Sequence, residues 1–342
     1  LVFIENVIQS LKNKQLIIII DDIVKGTSFL MGLAENVSPQ NVNIMTKVGK
    51  GLTYVCIPES KAKQLNLPLM VKERTNFQNQ DFTVSVDYKL TTTGISAFER
   101  ADTIKAITKT NIKPDDFHKP GHVFPLVGKK HGLLQRIDVV EAAIDLAKSC
   151  TEIPISYLTE ILNDYGEIAT LSEVEMISKV HDFSVVKLSD ILKTKSNQVI
   201  HSFAARVING KQIGRKIGFP TANLDISEHE VQLDQGVYGV KVSYKNFEYL
   251  GIMNVGTKPT FNSKDSIVYY EVHIFDFNKD IYGQNLKIDT CFYIREEVSF
   301  PTVDQLVTQI HKDKRIALDR FNLRKINLVD YGRTAVAYGN RK

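Results

Sequence analysis

The sequence predicts two domains: a layered α+β domain over residues 1–195, and a small closed antiparallel β-barrel with one late helix over residues 196–325, followed by a tail at 326–342. Three observations predict them. A chain of 342 residues is long enough for two domains of about 100 to 200 residues each. Helical and strand patterns alternate through the first 195 residues. Beyond the polar run KTKSNQ (193–198) the apolar residues switch to period two, in short and closely spaced runs.

Taken in order, Val2, Ile4, Val7, Ile8 and Leu11 fall at helical spacing. QLIIII (15–20), continuous and β-branched, reads as a buried strand that ends at the acidic pair Asp21 and Asp22. Further strands are expected at LTYVCI (52–57), DFTVSV (81–86) and FSVVKL (183–188), with helices at 59–66, 98–109, 139–148 and 173–181. In the second half the expected strands are HSFAARVI (201–208), GVYGVKVSY (236–244), EYLGIMNV (248–255), VYYEVHIF (268–275) and LKIDTCFYI (286–294). Short strands joined by Gly- and Asn-containing turns point to a closed barrel, because closure removes unpaired edges. The late helix (303–321) presents Val303, Leu306, Ile310, Ile316 and Leu318 as an apolar face, with Asp304 near its positive end.

Composition narrows the function classes. The 43 basic and 39 acidic residues are nearly balanced and scattered, which argues against nucleic-acid binding and favours anionic small molecules. Cys56, Cys150 and Cys291 are few, far apart and odd in number, as in a reducing compartment, and form neither a disulfide framework nor a zinc cluster. Cys56, in an apolar strand, reads as inert packing. The run Leu16 to Ile20 is far shorter than the roughly 20 residues that span a bilayer, and no signal-peptide cleavage pattern follows it. A cytosolic protein without a membrane partner is expected. Leu1 in place of methionine reads as an alternative start codon or a trimmed chain, and residues 322–342 carry no interpretable motif.

Two stretches carry chemistry. In GRKIGFPTANL (214–224), Gly214 and Gly218 let the main chain approach a ligand closely, Pro220 fixes the turn, and Arg215 adds a positive fork. Thr221 and Asn223 offer a hydroxyl and an amide oxygen, hard ligands of the kind Mg²⁺ accepts beside phosphate oxygens. A plain Gly/Pro hairpin connection is the alternative on these residues alone. In YYEVHIFDF (269–277), strand alternation puts Glu271, His273 and Phe275 on one side; in the barrel interior or on its rim Glu271 is a candidate general base, and otherwise it is a solvated strand residue.

The wider context carries two resemblances. LTTTGISAFERADTI (90–104) and HKPGHVFPL (118–126), with NLPLMV before them and EAAIDL and LTEILNDYG after, resemble 3,4-dihydroxy-2-butanone 4-phosphate synthase from about residue 3 to 193. That resemblance implies action on ribulose 5-phosphate with Mg²⁺, and a homodimer formed through residues 1–195. ARVINGKQIGRKIGFPTANL, GVYGVKV, LGIMNVGTKPTF, EVHIFDFNKDIYG, IREEVSF and QLVTQIHKDKRIA, in family order over about 201–321, look like riboflavin kinase. This second resemblance implies riboflavin and ATP as substrates, FMN and ADP as products, and Mg²⁺ with the ATP. ATP contacts then fall on Gly214, Arg215, Gly218, Pro220, Thr221 and Asn223, the metal on Thr221 and Asn223, the catalytic base on Glu271, and the flavin side on Arg295 and Phe300. Phe292, Tyr293 and the final helix are further candidate flavin walls, with core packing as the alternative for most of them.

The synthase half departs from its family. The family's acidic loop, D-D-x-D-R-E-N-E-G-D, is replaced after Asp21 and Asp22 by IVKGTSFLM, which has no carboxylate. Its metal-binding histidine in R-x-G-H-T-E-A aligns with Val139, the next threonine with Val140, and a catalytic-loop cysteine with Tyr54. Valine has no lone pair for a cation, and rearrangement of a sugar phosphate needs the metal to hold developing charge. Loss of synthase activity is expected. Thr92, Thr93, Gly94, Ser96, Arg100, Thr103, His122, Arg136, Glu141 and Glu160 still match, leaving a weakened sugar-phosphate pocket as one reading. In the other, Arg100 pairs with Glu99, Arg136 pairs with Glu141, and His122, between a Pro-Gly turn and VFPL, is a hydrogen-bonded core histidine. In the kinase half Ala205 stands for a usual glycine and Lys258 for a frequent arginine, and no FAD-forming domain precedes it, so FMN without FAD is expected. Three functions stay open: a riboflavin kinase with a degenerate synthase-like domain, a bifunctional enzyme with a substitute metal site near Asp21, Asp22 or Asp138, and a non-enzymatic flavin or sugar-phosphate sensor.

Overall fold

The structure is a computed structural model that describes residues 2–71, 80–195, 197–210, 214, 217–226, 231, 233–259 and 266–325. It divides into two compact units, Leu1–Thr194 and Lys195–Lys342. Arg215 and the tail at 326–342 lie outside the described residues.

The first unit runs α1 (Val2–Lys12), β1 (Ile17–Ile20), β2 (Ser28–Leu33), α2 (Pro39–Ile44), β3 (Lys50–Pro58), α3 (Glu59–Gln64), β4 (Asp81–Phe82), β5 (Val86–Tyr88), α4 (Ala97–Thr108), β6 (Phe117–Gly128), α5 (Val139–Lys148), β7 (Ser156–Ile161), α6 (Leu171–His181), β8 (Ser184–Lys187) and α7 (Leu188–Thr194). A mixed sheet in the order β4-β6-β3-β7-β2-β1-β8, with β5 on β6, forms its centre. β1 is buried along its whole length, as a continuous β-branched run demands. Val139 through Ala147 of α5 are all buried, Glu141 and Asp145 included, so this helix belongs to the interior.

Two expectations fail here for local reasons. DFTVSV is not one strand: Thr83 N–H donates to Pro125 O (3.0 Å) and Val84 N–H to Pro68 O (3.1 Å), so pairing switches partner between β4 and β5. The Pro-Gly pair at 120–121 is no turn, but lies within β6 opposite the β5 end, where Gly121 N–H donates to Ser85 Oγ (3.1 Å).

The second unit contains β9 (His201–Ile208), β10 (Ala222–Asp225), β11 (Gly236–Tyr244), β12 (Phe247–Pro259), β13 (Ser266–Ile274), β14 (Asn285–Arg295) and α8 (Val303–Lys325). The strands close as an antiparallel barrel in the order β10-β13-β12-β11-β14-β9. Its core is filled by Phe203, Val207, Tyr238, Val240, Met253, Val255, Tyr270 and Val272, alternate residues of successive strands. α8 corrects the predicted apolar face. Val303, Ile316 and Leu318 are exposed, and the face turned inward is Leu306, Ile310, Asp313, Ala317 and Phe321. The sequence hides this stripe because a carboxylate sits in its middle.

Candidate functional site

Alternation along β13 turns Tyr270, Val272 and Ile274 into the barrel core, and Tyr269, Glu271 and His273 therefore face outward. Glu271 is thus not an interior residue. Phe275 lies past the strand end, buried, with its N–H on Leu250 O (2.8 Å), and keeps to that outward side: its ring meets His273 edge-on at 5.8 Å, and Lys314 Nζ of α8 lies over it, 5.0 Å from its centre. β10 and β12 flank β13 and set both Asn223 and Asn254 directly opposite Glu271. Facing residues on neighbouring strands sit with Cβ atoms about 5 Å apart, so an amide lies on each side of the carboxylate. α8 and the segment after β14 cover this face. Between them lies a cavity of about 410 Å³, lined by Gly214, Thr221, Asn223, Glu271, Arg295 and Phe300 among others.

The polar walls of the cavity are held in place. Arg295 Nε and Nη2 donate to Asp313 of α8, with Nη2 to Oδ2 at 2.8 Å, and Gln309 Nε2 donates to the same carboxylate (2.9 Å). Asp313 is 1% exposed, so strand end and helix are clamped by a nearly dry ion pair. The Arg295 guanidinium also lies over the Phe300 ring, 5.6 Å from its centre. Tyr269 O–H donates to Glu297 Oε1 (2.7 Å), and Asn254 Nδ2 reaches both groups at 3.3 Å. Burial, with the Glu297 bond and charge adding to it, raises the Tyr269 pKa, so the phenol stays a neutral donor. Phe292 and Tyr293 are not cavity walls. Phe292 is fully buried against Phe321 of α8, and Tyr293 packs edge-on to Tyr238.

The turn before β10 is compact. Ile217 and Phe219 N–H groups both donate to Gly214 O, at 3.2 and 2.8 Å, and Gly218 has φ +86°, which an L side chain resists. A Cβ on Gly214 would collide with Phe219 O and stand 3.3 Å from Thr221 Oγ1. Pro220 and Thr221 also line a second cavity of about 230 Å³, walled by Val272, Ile274, Phe277 and residues 278–282. Thr221 therefore stands where two cavities meet.

In the first unit the predicted residues fall into separate groups. Thr92, Thr93 and Ser96 donate hydroxyls to Glu99, at 2.7, 3.2 and 3.2 Å, which binds the start of α4. Those bonds hold Glu99 at about pH 2, well below the usual carboxylate range. Arg100 does not pair with Glu99; it reaches Thr46 Oγ1 (2.8 Å) and Thr53 Oγ1 (3.5 Å), and burial lowers its pKa. His122 bonds Asp87 through Nδ1 (2.8 Å), but its side chain is 45% exposed, so it is no core residue. Arg136 does pair with Glu141 (2.8 Å), and also with Asp81 (3.2 Å). Burial pushes Glu141 up to about 7. Glu160 is half-buried on β7, its pKa raised by desolvation. Thr103 serves Tyr88 N–H (3.0 Å), a structural bond.

Beside these groups the residues after β1 take roles of their own. Asp22 accepts from Ser189 N–H (3.0 Å) and Oγ (2.6 Å), which fastens the start of α7. Lys25 Nζ reaches Asp138 Oδ2 (2.9 Å), and Gln80 Nε2 donates to its Oδ1 (3.0 Å). Asp21 is fully buried, with Oδ1 taken by Val24 N–H (2.9 Å) and Oδ2 without a hydrogen-bond partner; burial raises its pKa.

Residues 5–194 match the family model of 3,4-dihydroxy-2-butanone 4-phosphate synthase. The chain belongs to that family. Residues 198–321 match the riboflavin kinase model, so a riboflavin kinase domain follows the synthase-family domain. Among curated relatives, the 3,4-dihydroxy-2-butanone 4-phosphate synthase of Oceanobacillus iheyensis is 42% identical over 197 residues, covering 57% of this chain and 95% of that protein. The riboflavin biosynthesis protein RibBA of Bacillus cytotoxicus is 38% identical over 190 residues, and the match covers 55% of this chain and 48% of RibBA. The chain thus spans about half the length of the RibBA relatives it matches. Among solved structures, RibBX, a two-domain 3,4-dihydroxy-2-butanone 4-phosphate synthase from A. baumannii, superposes with TM-score 0.60 at 25% identity, covering 74% of this chain and 69% of that one. A 3,4-dihydroxy-2-butanone 4-phosphate synthase in complex with two magnesium ions gives TM-score 0.53 at 26% identity, over 57% of this chain and 97% of that one.

The two domains differ in how well they suit a metal. In the riboflavin kinase domain two oxygen-bearing side chains, Thr221 and Asn223, line one cavity beside a turn whose glycine leaves room around the Thr221 hydroxyl, a donor set that fits Mg²⁺. In the synthase-family domain the fit fails. Val139 and Val140 are buried and apolar, Asp22 is committed to Ser189, and a lysine ammonium already neutralises Asp138. Among the described residues of either domain, no group of three or more His, Cys, Asp or Glu side chains could hold a metal ion. Sequence reasoning had no role for Lys25, Asn254, Tyr269, Glu297 or Asp313. Tyr269 was within reach of it, being two residues before Glu271 and so on the same strand face. Lys25 and Asp313 find their partners through the tertiary fold, 113 and 18 residues away in sequence.

Proposed function

We propose that this chain is a riboflavin kinase, which transfers the γ-phosphate of ATP to the ribityl 5′-hydroxyl of riboflavin to give FMN and ADP, and that its synthase-family domain no longer performs the synthase reaction. The observation that carries the reading is the meeting of Thr221, Asn223 and Glu271 in one cavity, with Glu271 opposite Asn223 in the strand ladder.

Thr221 lies between the two cavities, which supports nucleotide on the side of Phe277 and residues 278–282 and flavin on the side of Arg295 and Phe300. Glu271 then accepts the proton of the ribityl hydroxyl as its oxygen bonds to the γ-phosphorus, and the bond from that phosphorus to the β,γ-bridging oxygen breaks to release ADP. Asn254 and Tyr269 hold Glu297 beside that carboxylate, where it offers an acceptor to a polyol hydroxyl. Mg²⁺ held by Thr221 and Asn223 would supply neutralisation of charge on the phosphate oxygens. The Arg295–Asp313 clamp keeps α8 over the acceptor and limits water.

Incubation with riboflavin and Mg-ATP, followed by chromatography of the flavins, is expected to yield FMN and no FAD; an FAD peak contradicts the reading. A bifunctional enzyme is the second reading, favoured by the 42% identity to a dedicated synthase. Turnover of ribulose 5-phosphate to 3,4-dihydroxy-2-butanone 4-phosphate and formate decides for it. The first reading expects none, because the metal positions are apolar or occupied. It includes a homodimer through the first domain, to be abandoned if light scattering finds only monomer. It also includes a cytosolic setting, supported by the free thiols of Cys56, Cys150 and Cys291. No helix among the described residues is long and apolar enough to cross a membrane.

A further inference from the structure

The β10–β13 ladder stops one step short of the chemistry. Its last pair on the turn side is Ala222 opposite Val272, so Thr221 and His273 are the next residues out on each strand. Pro220, having no N–H, cannot continue the ladder as a donor. A side chain does so instead: His273 Nδ1 lies 2.9 Å from Pro220 O. A carbonyl oxygen only accepts, so Nδ1 carries the proton and the tautomer is fixed by its partner. The ring is further braced by Phe219, edge-on at 5.3 Å, and Phe219 meets His311 of α8 at 4.9 Å. His273 therefore ties together the strand that carries Glu271, the turn that carries Thr221, and, through Phe219, the helix that roofs the cavity.

We infer that His273 is a positioning residue for the proposed phosphoryl transfer, its Nδ1–H holding the Pro220 carbonyl so that the Thr221 hydroxyl stays fixed relative to the Glu271 carboxylate. The inference rests on the kinase reading and adds a residue that lines the same cavity as Glu271 while its Nδ1 is engaged by the turn. Phosphoryl transfer depends on placement, so a loosened turn acts on the nucleotide side and leaves the flavin side unchanged.

The test uses the full chain and three substitutions. His273→Phe keeps a ring against Phe219 but removes the donor; His273→Asn places an amide N–H near the Nδ1 position; His273→Gln places it further out. The expected result is a fall of about tenfold in kcat/KM for Mg-ATP in the Phe and Gln variants, the worth of one hydrogen bond, with recovery to within about threefold in the Asn variant. Riboflavin binding, followed by flavin fluorescence, is expected to be unchanged in all three. Wild-type ATP kinetics in the Phe variant, or equal loss in the Asn and Gln variants, overturns the inference. Should the Phe variant fail to fold, the Asn and Gln pair still decides. A wild-type chain that makes no FMN instead sinks the kinase reading on which the inference rests, whereas FMN formation that ignores position 273 sinks the inference alone.

Discussion

Carboxylates in the two domains have opposite fates, and each follows from what stands beside it. Glu271 lies between two amides on the covered outer face of a barrel, open to a cavity. Asp21 lies fully buried at the end of β1 with one oxygen unpartnered, close to a lysine that has turned to Asp138. A buried, poorly compensated carboxylate costs stability. Asp21→Asn, which keeps the oxygen that Val24 N–H needs, is therefore expected to stabilise the chain by roughly 1 kcal/mol. The sign with pH is specific. Below the ordinary aspartate value both folded and unfolded chains hold the proton, and the substitution gains nothing. Above it the unfolded chain ionises first, because burial raises the folded-state pKa, so the wild type loses stability and the variant does not. Urea unfolding of both proteins at pH 3 and pH 8 checks this. A variant weaker than wild type at pH 8 contradicts it.

At the scale of elements, α8 holds the cavity closed by polar means. Ala317 and Phe321 pack it down, Arg320 Nη1 bonds Tyr293 O (2.6 Å), and Asp313 grips Arg295 and Gln309. Removing one partner of a nearly buried pair leaves the other uncompensated, so Asp313→Ala is expected to destabilise the barrel by about 3 kcal/mol and to weaken riboflavin binding more than ATP binding. Equal weakening of both ligands in calorimetry contradicts the placement of flavin under α8. β9 was readable because it alternates cleanly, with Phe203, Ala205 and Val207 inward, and it is found at its predicted bounds. β10 was not, since ANLD is a four-residue strand hidden in a motif read as a turn. β2 and β7 were missed for a different reason. Both are buried on both faces and short, and without alternation SFLMGL and SYLTEI lack a period to detect. The candidate site was half legible: residues adjacent in sequence, such as Thr221 and Asn223, stood out, whereas Asn254, Glu297 and Asp313 join it only when three strands and a helix meet.

Over the whole molecule, each unit carries its own hydrophobic core, one around β1, β2 and β3 and one inside the barrel. Independent cores make independent folding the expectation. Residues 196–342 alone are therefore expected to retain kinase turnover within about threefold of the full chain, since every proposed substrate-facing residue belongs to them. A fragment that folds, by circular dichroism, yet is inactive would give the first domain a part in the reaction.

The account stands most directly on Glu271 as the group that takes the ribityl proton. Wild type and Glu271→Gln, compared side by side with riboflavin and Mg-ATP, measure it. The amide keeps the size and most hydrogen bonds of the carboxylate but is no base, so FMN formation is expected to fall by about 10² to 10⁴-fold while nucleotide and riboflavin still bind. FMN formation by the Gln variant at the wild-type rate would contradict the account.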